Sequence, residues 1–172
     1  MTVFIIYNYS ISVILCKSNR KRLTGGFTRY IFRFNRIKSR SDVVIGRNVS
    51  SGSPYEGPTG FSRARRIGDI IAVAGTAPIG SDGKTVALGD PYKQAKRCLD
   101  IIEWALGELG ARLENVIRTR VYLTDASRWE PVARAHGERF GDVRPACTFV
   151  EVSRLLDDDW LVEIEADAVL TE

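Results

Sequence analysis

Between Phe61 and Val169 the apolar residues fall into two spacings, and each spacing predicts an element. Ile70 to Gly75 is apolar enough for a central strand, and the Gly68-Asp69 pair joins it to Phe61–Ile67 as a β-hairpin. Asp90-Pro91 then opens a helix, because Asp can cap free amides and Pro is tolerated at the first helical position. Ala95, Cys98, Leu99, Ile102, Ala105, Leu106 and Leu109 recur at steps of three and four until Gly110, so one helix face packs on a sheet. Val116 to Leu123 alternates, with Ile117, Thr119, Val121 and Leu123 on one side and Arg118, Arg120 and Tyr122 on the other. Ser127 to Glu130 fits a capping box, after which Trp129, Val132, Ala133, His136 and Phe140 continue a second helix to Gly141. Ala146–Val152 and Leu161–Val169 read as two buried strands joined by an acidic turn. Ser50 to Pro58 reads as a turn-rich linker, and Thr76 to Gly89 as a loop.

Hairpin, helix, strand, helix and two strands make an α+β layer, with two helices on one face of a sheet. The other face must be covered by something else, and a homo-oligomer is the natural answer. In the last strand Glu163, Glu165 and Asp167 share one side. The alternation leaves two readings open: a solvent-facing polar side, or one acid lining a cleft where it moves protons.

Charge divides the chain. Residues 1–45 hold nine Lys/Arg and one Asp, net +8, whereas residues 46–172 hold sixteen Lys/Arg and twenty Asp/Glu, net −4. The folded part is therefore acidic, and a nucleic-acid partner is not expected on it. We read residues 1–45 as an extension that is disordered, a targeting segment or non-native, and residues 46–172 as the domain. The apolar run Val3–Cys16 is short of the about 20 residues a membrane helix needs, so stable membrane insertion is not expected. The basic cluster Lys17–Arg22 follows that run, the reverse of a secretory signal. The Arg- and aromatic-rich residues 20–40 would also suit a mitochondrial presequence.

Cys16, Cys98 and Cys147 lack paired spacing, which suits reduced thiols and a cytoplasmic setting. With one histidine, His136, and no Cys/His cluster, neither metal nor cofactor is implied. Cys98 lies on the apolar helix stripe and reads as a small core residue. Cys147 paired with His136 across a subunit boundary would be a nucleophile and base, against the default of an unreactive thiol.

Three stretches, Val73-Ala74-Gly75-Thr76-Ala77-Pro78, Val121-Tyr122-Leu123-Thr124-Asp125 and Arg144-Pro145-Ala146…Val162-Glu163-Ile164-Glu165-Ala166, together resemble the RidA/YjgF family from about Arg47 to the C-terminus. The resemblance implies a chorismate-mutase-like α+β fold, a mixed sheet with two helices on one face, and a homotrimer holding a small-molecule ligand in each inter-subunit cleft. It also implies hydrolytic deamination of reactive enamines or imines, with Glu163 positioning the attacking water and Gly75 lining the cleft. In that family an arginine after the Pro-Ala pair grips the substrate carboxylate, and here the position is Cys147, which cannot replace a guanidinium. The positions matching the family's other cleft residues are Phe61, Ala74, Ala133 and Phe149, all apolar, while Arg144 is a substitute anion contact or simply a solvated strand-start arginine. The departures leave a non-catalytic metabolite-binding or interaction trimer as the alternative. RNA cleavage, attributed to some relatives, fits the acidic domain poorly.

Overall fold

The computed structural model describes residues 4–7, 10–13 and 46–171. They fall into two units. The first is an antiparallel pair, β1 (Phe4–Tyr7) and β2 (Ser10–Val13), with Phe4 opposite Val13. Short strands thus form within the run that the sequence marked only as apolar. Cys16, the basic cluster and the Arg-rich stretch lie outside the described residues.

The second unit is a six-stranded sheet carrying two long helices. Its strands are β3 (Arg47–Val49), β4 (Ala64–Ile67), β5 (Ile70–Thr76), β6 (Val116–Leu123), β7 (Ala146–Glu151) and β8 (Val162–Val169), in the spatial order β3-β4-β5-β8-β6-β7. β6 and β7 run parallel and every other pairing is antiparallel, so the sheet is mixed, as expected. Strand β3 and a one-turn helix α1 (Glu56–Thr59) flank and occupy the stretch read as a linker; their apolar content is too low to signal either. Gly68, with φ +60°, supplies the positive angle that the β4–β5 turn demands.

Helix α2 (Pro91–Glu108) starts where the sequence places it, with the Asp90 carboxylate accepting from the Lys93 amide at 3.0 Å. Ala95, Cys98, Leu99, Ile102, Ala105 and Leu106 are fully buried against the sheet. Gln94, on the same face, holds the approach to β8: its amide donates to the Asp159 carbonyl and its oxygen accepts from the Leu161 amide, each at 2.8 Å. Helix α3 (Trp129–Phe140) packs beside α2, and Arg139 ties the two through Asp100 and Glu103. No helix among the described residues is long and apolar enough to cross a membrane.

Four readings are corrected. The capping box at Ser127–Glu130 does not form; Asp125 instead caps a 3-10 turn at Ala126–Arg128 by accepting from the Ser127 amide at 2.9 Å. Trp129, at the first position of the helix straight after that turn, is half exposed, and the buried positions of α3 are Val132, Ala135 and Phe140. Ile117 is 54% exposed because a bulge between Val116 and Arg118 shifts the alternation of β6. Strand β7 is not buried: every residue but the half-buried Phe149 is exposed, since it is an edge strand paired on one side only.

Candidate active site

The three carboxylates of β8 lie on the sheet face opposite the helices, as alternation requires, while Val162, Ile164, Ala166 and Ala168 are buried beneath α2. One guanidinium separates them. Arg120, across from Glu165 on β6, binds Glu165 at 2.5 Å and Asp167 at 3.3 Å. Glu163, across from Tyr122, makes no ion pair among the described residues and keeps its oxygens for something else. Burial pushes its pKa above the ordinary carboxylate value; the positive charge of Arg63 works against the rise and the charge of Glu165 adds to it.

Gly75 is needed for this placement. The pairing of β5 with β8 slips between Val73 and Thr76, and a Cβ on residue 75 would stand 2.1 Å from Glu163 Oε1. Beneath the pair sits Arg63, only 8% exposed, which donates to the Ala74 carbonyl at 3.2 Å, the Gly75 carbonyl at 2.6 Å and Thr76 Oγ1 at 2.7 Å. The Phe61 ring lies 5.9 Å from its guanidinium carbon. Phe61, Ala74, Gly75 and Glu163 thus form one group around a buried cation that the sequence reading missed. Period-two counting aligns Arg63 with the exposed Arg65, but β4 begins only at Ala64, which frees Arg63 from the alternation. An open depression of about 340 Å³ leads to Glu163, lined also by Gly75, Tyr122, Val152, Arg154, Leu155 and Glu165.

The remaining candidates lie elsewhere. Cys147 and Phe149 pair in register with Thr119 and Val121, which face the helices, so their side chains stand on the opposite side of the sheet from Glu163. Cys147 Sγ is 3.7 Å from His136 Nε2, an approach made within one chain and not across a subunit boundary. Phe149 meets the His136 ring edge-on at 6.1 Å between centroids, and Ala133 lies one turn earlier on α3. Arg144, exposed and at φ +52°, turns its Nε toward the Gly141 carbonyl at 3.4 Å, at the end of α3. Cys98 is fully buried, and burial drives its thiol far above the ordinary value, which leaves it inert. Among the described residues no three His, Cys, Asp or Glu side chains gather in a way that could hold a metal ion. One chain therefore carries two groups, Phe61/Ala74/Gly75/Glu163 and Ala133/Cys147/Phe149, on different sides of one sheet.

Comparison with known proteins agrees with this architecture. The family model described as Endoribonuclease L-PSP matches residues 55–170. An uncharacterized protein of Streptomyces coelicolor is 42% identical over 122 residues, covering 71% of this chain and 90% of that protein. The 3-aminoacrylate deaminase RutC of Acinetobacter baylyi is 29% identical over 105 residues, covering 61% of this chain and 82% of the enzyme. The crystal structure of a Mycobacterium tuberculosis member of the YjgF/YER057c/UK114 family superposes with a TM-score of 0.66 at 45% identity, covering 73% of this chain and all of the other. With its mixed sheet, two covering helices and these relatives, the chain belongs to the endoribonuclease L-PSP family, the RidA/YjgF group.

Proposed function

We propose that residues 46–172 form a homotrimer whose inter-subunit clefts hydrolyse a small enamine or imine to a carbonyl compound and ammonia. The observation that carries this reading is the state of Glu163: half-buried, raised in pKa, pressed against the backbone of Gly75 and, among the described residues, without an ion pair while Arg120 occupies Glu165 and Asp167. A carboxylate with its pKa moved toward neutrality is suited to take a proton and return it. Water attacks the imine carbon as Glu163 takes one of its protons and passes it to the nitrogen; the carbinolamine then collapses as its hydroxyl proton reaches the amine through Glu163, so that ammonia leaves and a C=O bond replaces C=N. Water is the only co-reactant.

The exposed edge β7 and the uncovered carboxylate face support assembly. In the trimer the Glu163 group of one copy faces Ala133 of the partner subunit, Cys147 of the partner subunit and Phe149 of the partner subunit. These apolar or neutral side chains favour a substrate less anionic than a 2-imino acid. The family description names an endoribonuclease, but the net charge of −4 over residues 46–172 and the carboxylates on the open face repel a polyanion. The free thiols suit a reducing, cytoplasmic setting.

The test is ammonia release from 2-aminoacrylate, iminopyruvate and an uncharged imine by wild type and Glu163→Gln. Wild type should clear the uncharged imine best, and the variant should lose about 10²–10⁴-fold. No clearance of any of the three by wild type removes the deaminase and leaves a metabolite-binding trimer.

A further inference from the structure

On the helix side of β7, three groups converge to which the hydrolysis above gives no proton-transfer or bond-forming role. His136 Nε2 stands 3.7 Å from Cys147 Sγ and 2.9 Å from Thr119 Oγ1. Thr119 is fully buried and Cys147 is exposed, so one neighbour of the imidazole is anchored in the core and the other faces outward. Phe140, with its centroid at 4.7 Å, and Phe149 hold the ring from the sides. A threonine hydroxyl both donates and accepts. Unprotonated, the one lone pair of Nε2 accepts from either Thr119 or the thiol; protonated, it donates while Thr119 accepts. The nitrogen is therefore served before and after it takes a proton. Burial lowers the pKa of His136 below its ordinary value, which keeps the ring in the neutral form a base requires.

We propose that Cys147 and His136 form a nucleophile–base pair whose target is a small, uncharged α,β-unsaturated carbonyl compound. Polarizable sulfur suits a conjugated carbon, and the half-buried Phe149 ring beside it suits an uncharged one. In the step, the Cys147 sulfur bonds to the β-carbon as its proton passes to His136 Nε2. The C=C pair moves to the α-carbon, and the α-carbon then takes that proton back from the imidazolium. A thioether results, all atoms balance, and neither oxidant nor reductant enters. Cys147 is thereby a covalent modification site on the opposite side of its own chain's sheet from Glu163; in the proposed trimer it borders the cleft, yet the Cys147–His136 pair lies within one chain and does not rest on the deaminase reading.

Acrylamide is the probe, applied to the full chain with peptide-resolved mass spectrometry against N-acetylcysteine as free-thiol reference. An ordinary thiol is only a few per cent thiolate at pH 7, so assisted deprotonation can gain at most about 30-fold; about tenfold is expected for Cys147. His136→Gln should return the rate to that of the free thiol. It should also restore the full tenfold fall per pH unit between pH 8 and 6, which wild type should show only weakly. Cys98 stays unlabelled while the fold is intact, and if it labels in the variant, the wild-type comparison with N-acetylcysteine decides alone. A wild-type rate no faster than the free thiol, or an intact His136→Gln that reacts as wild type, overturns the pair.

Discussion

Strands β7 and β8 flank β6 in the same sheet, carry similar numbers of apolar residues and end the chain together, yet they live in different environments. β8 has a neighbour on each side and α2 beneath it, so Val162, Ile164, Ala166 and Ala168 are lost from water. β7 has one neighbour, and Val150 remains 42% exposed. Burial of a strand is thus decided by its place in the sheet as well as by its own residues. An apolar strand left at an edge is a surface waiting for a partner.

The comparison breaks most sharply in the core. Ile164→Ala should cost about 2–5 kcal/mol in urea unfolding, as expected for a fully buried isoleucine, whereas Val150→Ala should change unfolding by less than about 0.5 kcal/mol at concentrations where chains are separate. If both cost alike, β7 is already covered within one chain and the proposed interface moves elsewhere. Val150→Asp sharpens the same point: native mass spectrometry should show the proposed trimer falling to single chains while circular dichroism is retained.

A smaller effect is expected at Gly75. The intruding methyl of Gly75→Ala meets the free end of the Glu163 side chain, which can swing away, so stability should shift by no more than about 1 kcal/mol. A carboxylate displaced by about 1 Å should slow imine turnover roughly 10- to 100-fold, with kcat falling more than KM rises. Equal activity would mean that Glu163 works from another position.

The smallest effect is on stability against pH. Glu163 has a folded pKa above its unfolded value, so the folded state binds the extra proton and stability declines as pH rises from the unfolded value through the folded one. His136 has a folded pKa below 6.5, so the unfolded state binds the extra proton and stability declines as pH falls from about 6.5 through the folded value. Urea midpoints from pH 4 to 8 should therefore lose the decline on rising pH in Glu163→Gln, and the decline on falling pH in His136→Gln.

Most of the fold was legible because local chemistry agreed with global packing. The Asp90-Pro91 start, the apolar stripe of α2 and the bounds of β6 all follow from spacing alone. The failures occur where a local irregularity interrupts a period. One bulged residue turned Ile117 outward, and the 3-10 turn at Ala126–Arg128 took the capping role from Ser127. At the site, alternation put three acids on one side but could not rank them, since their difference lies in Arg120, which is distant in the sequence. Arg63 escaped for a related reason: its partners are carbonyls and a hydroxyl, groups that leave no side-chain pattern to read.

Those partners have a kinetic consequence. Because Arg63 bonds residues 74, 75 and 76 together, peeling the end of β5 from the sheet would strand a desolvated guanidinium without acceptors, a cost well above that of breaking ordinary strand bonds. Sub-global opening at this corner is thereby made more costly, and the backbone against which Glu163 rests is held in place.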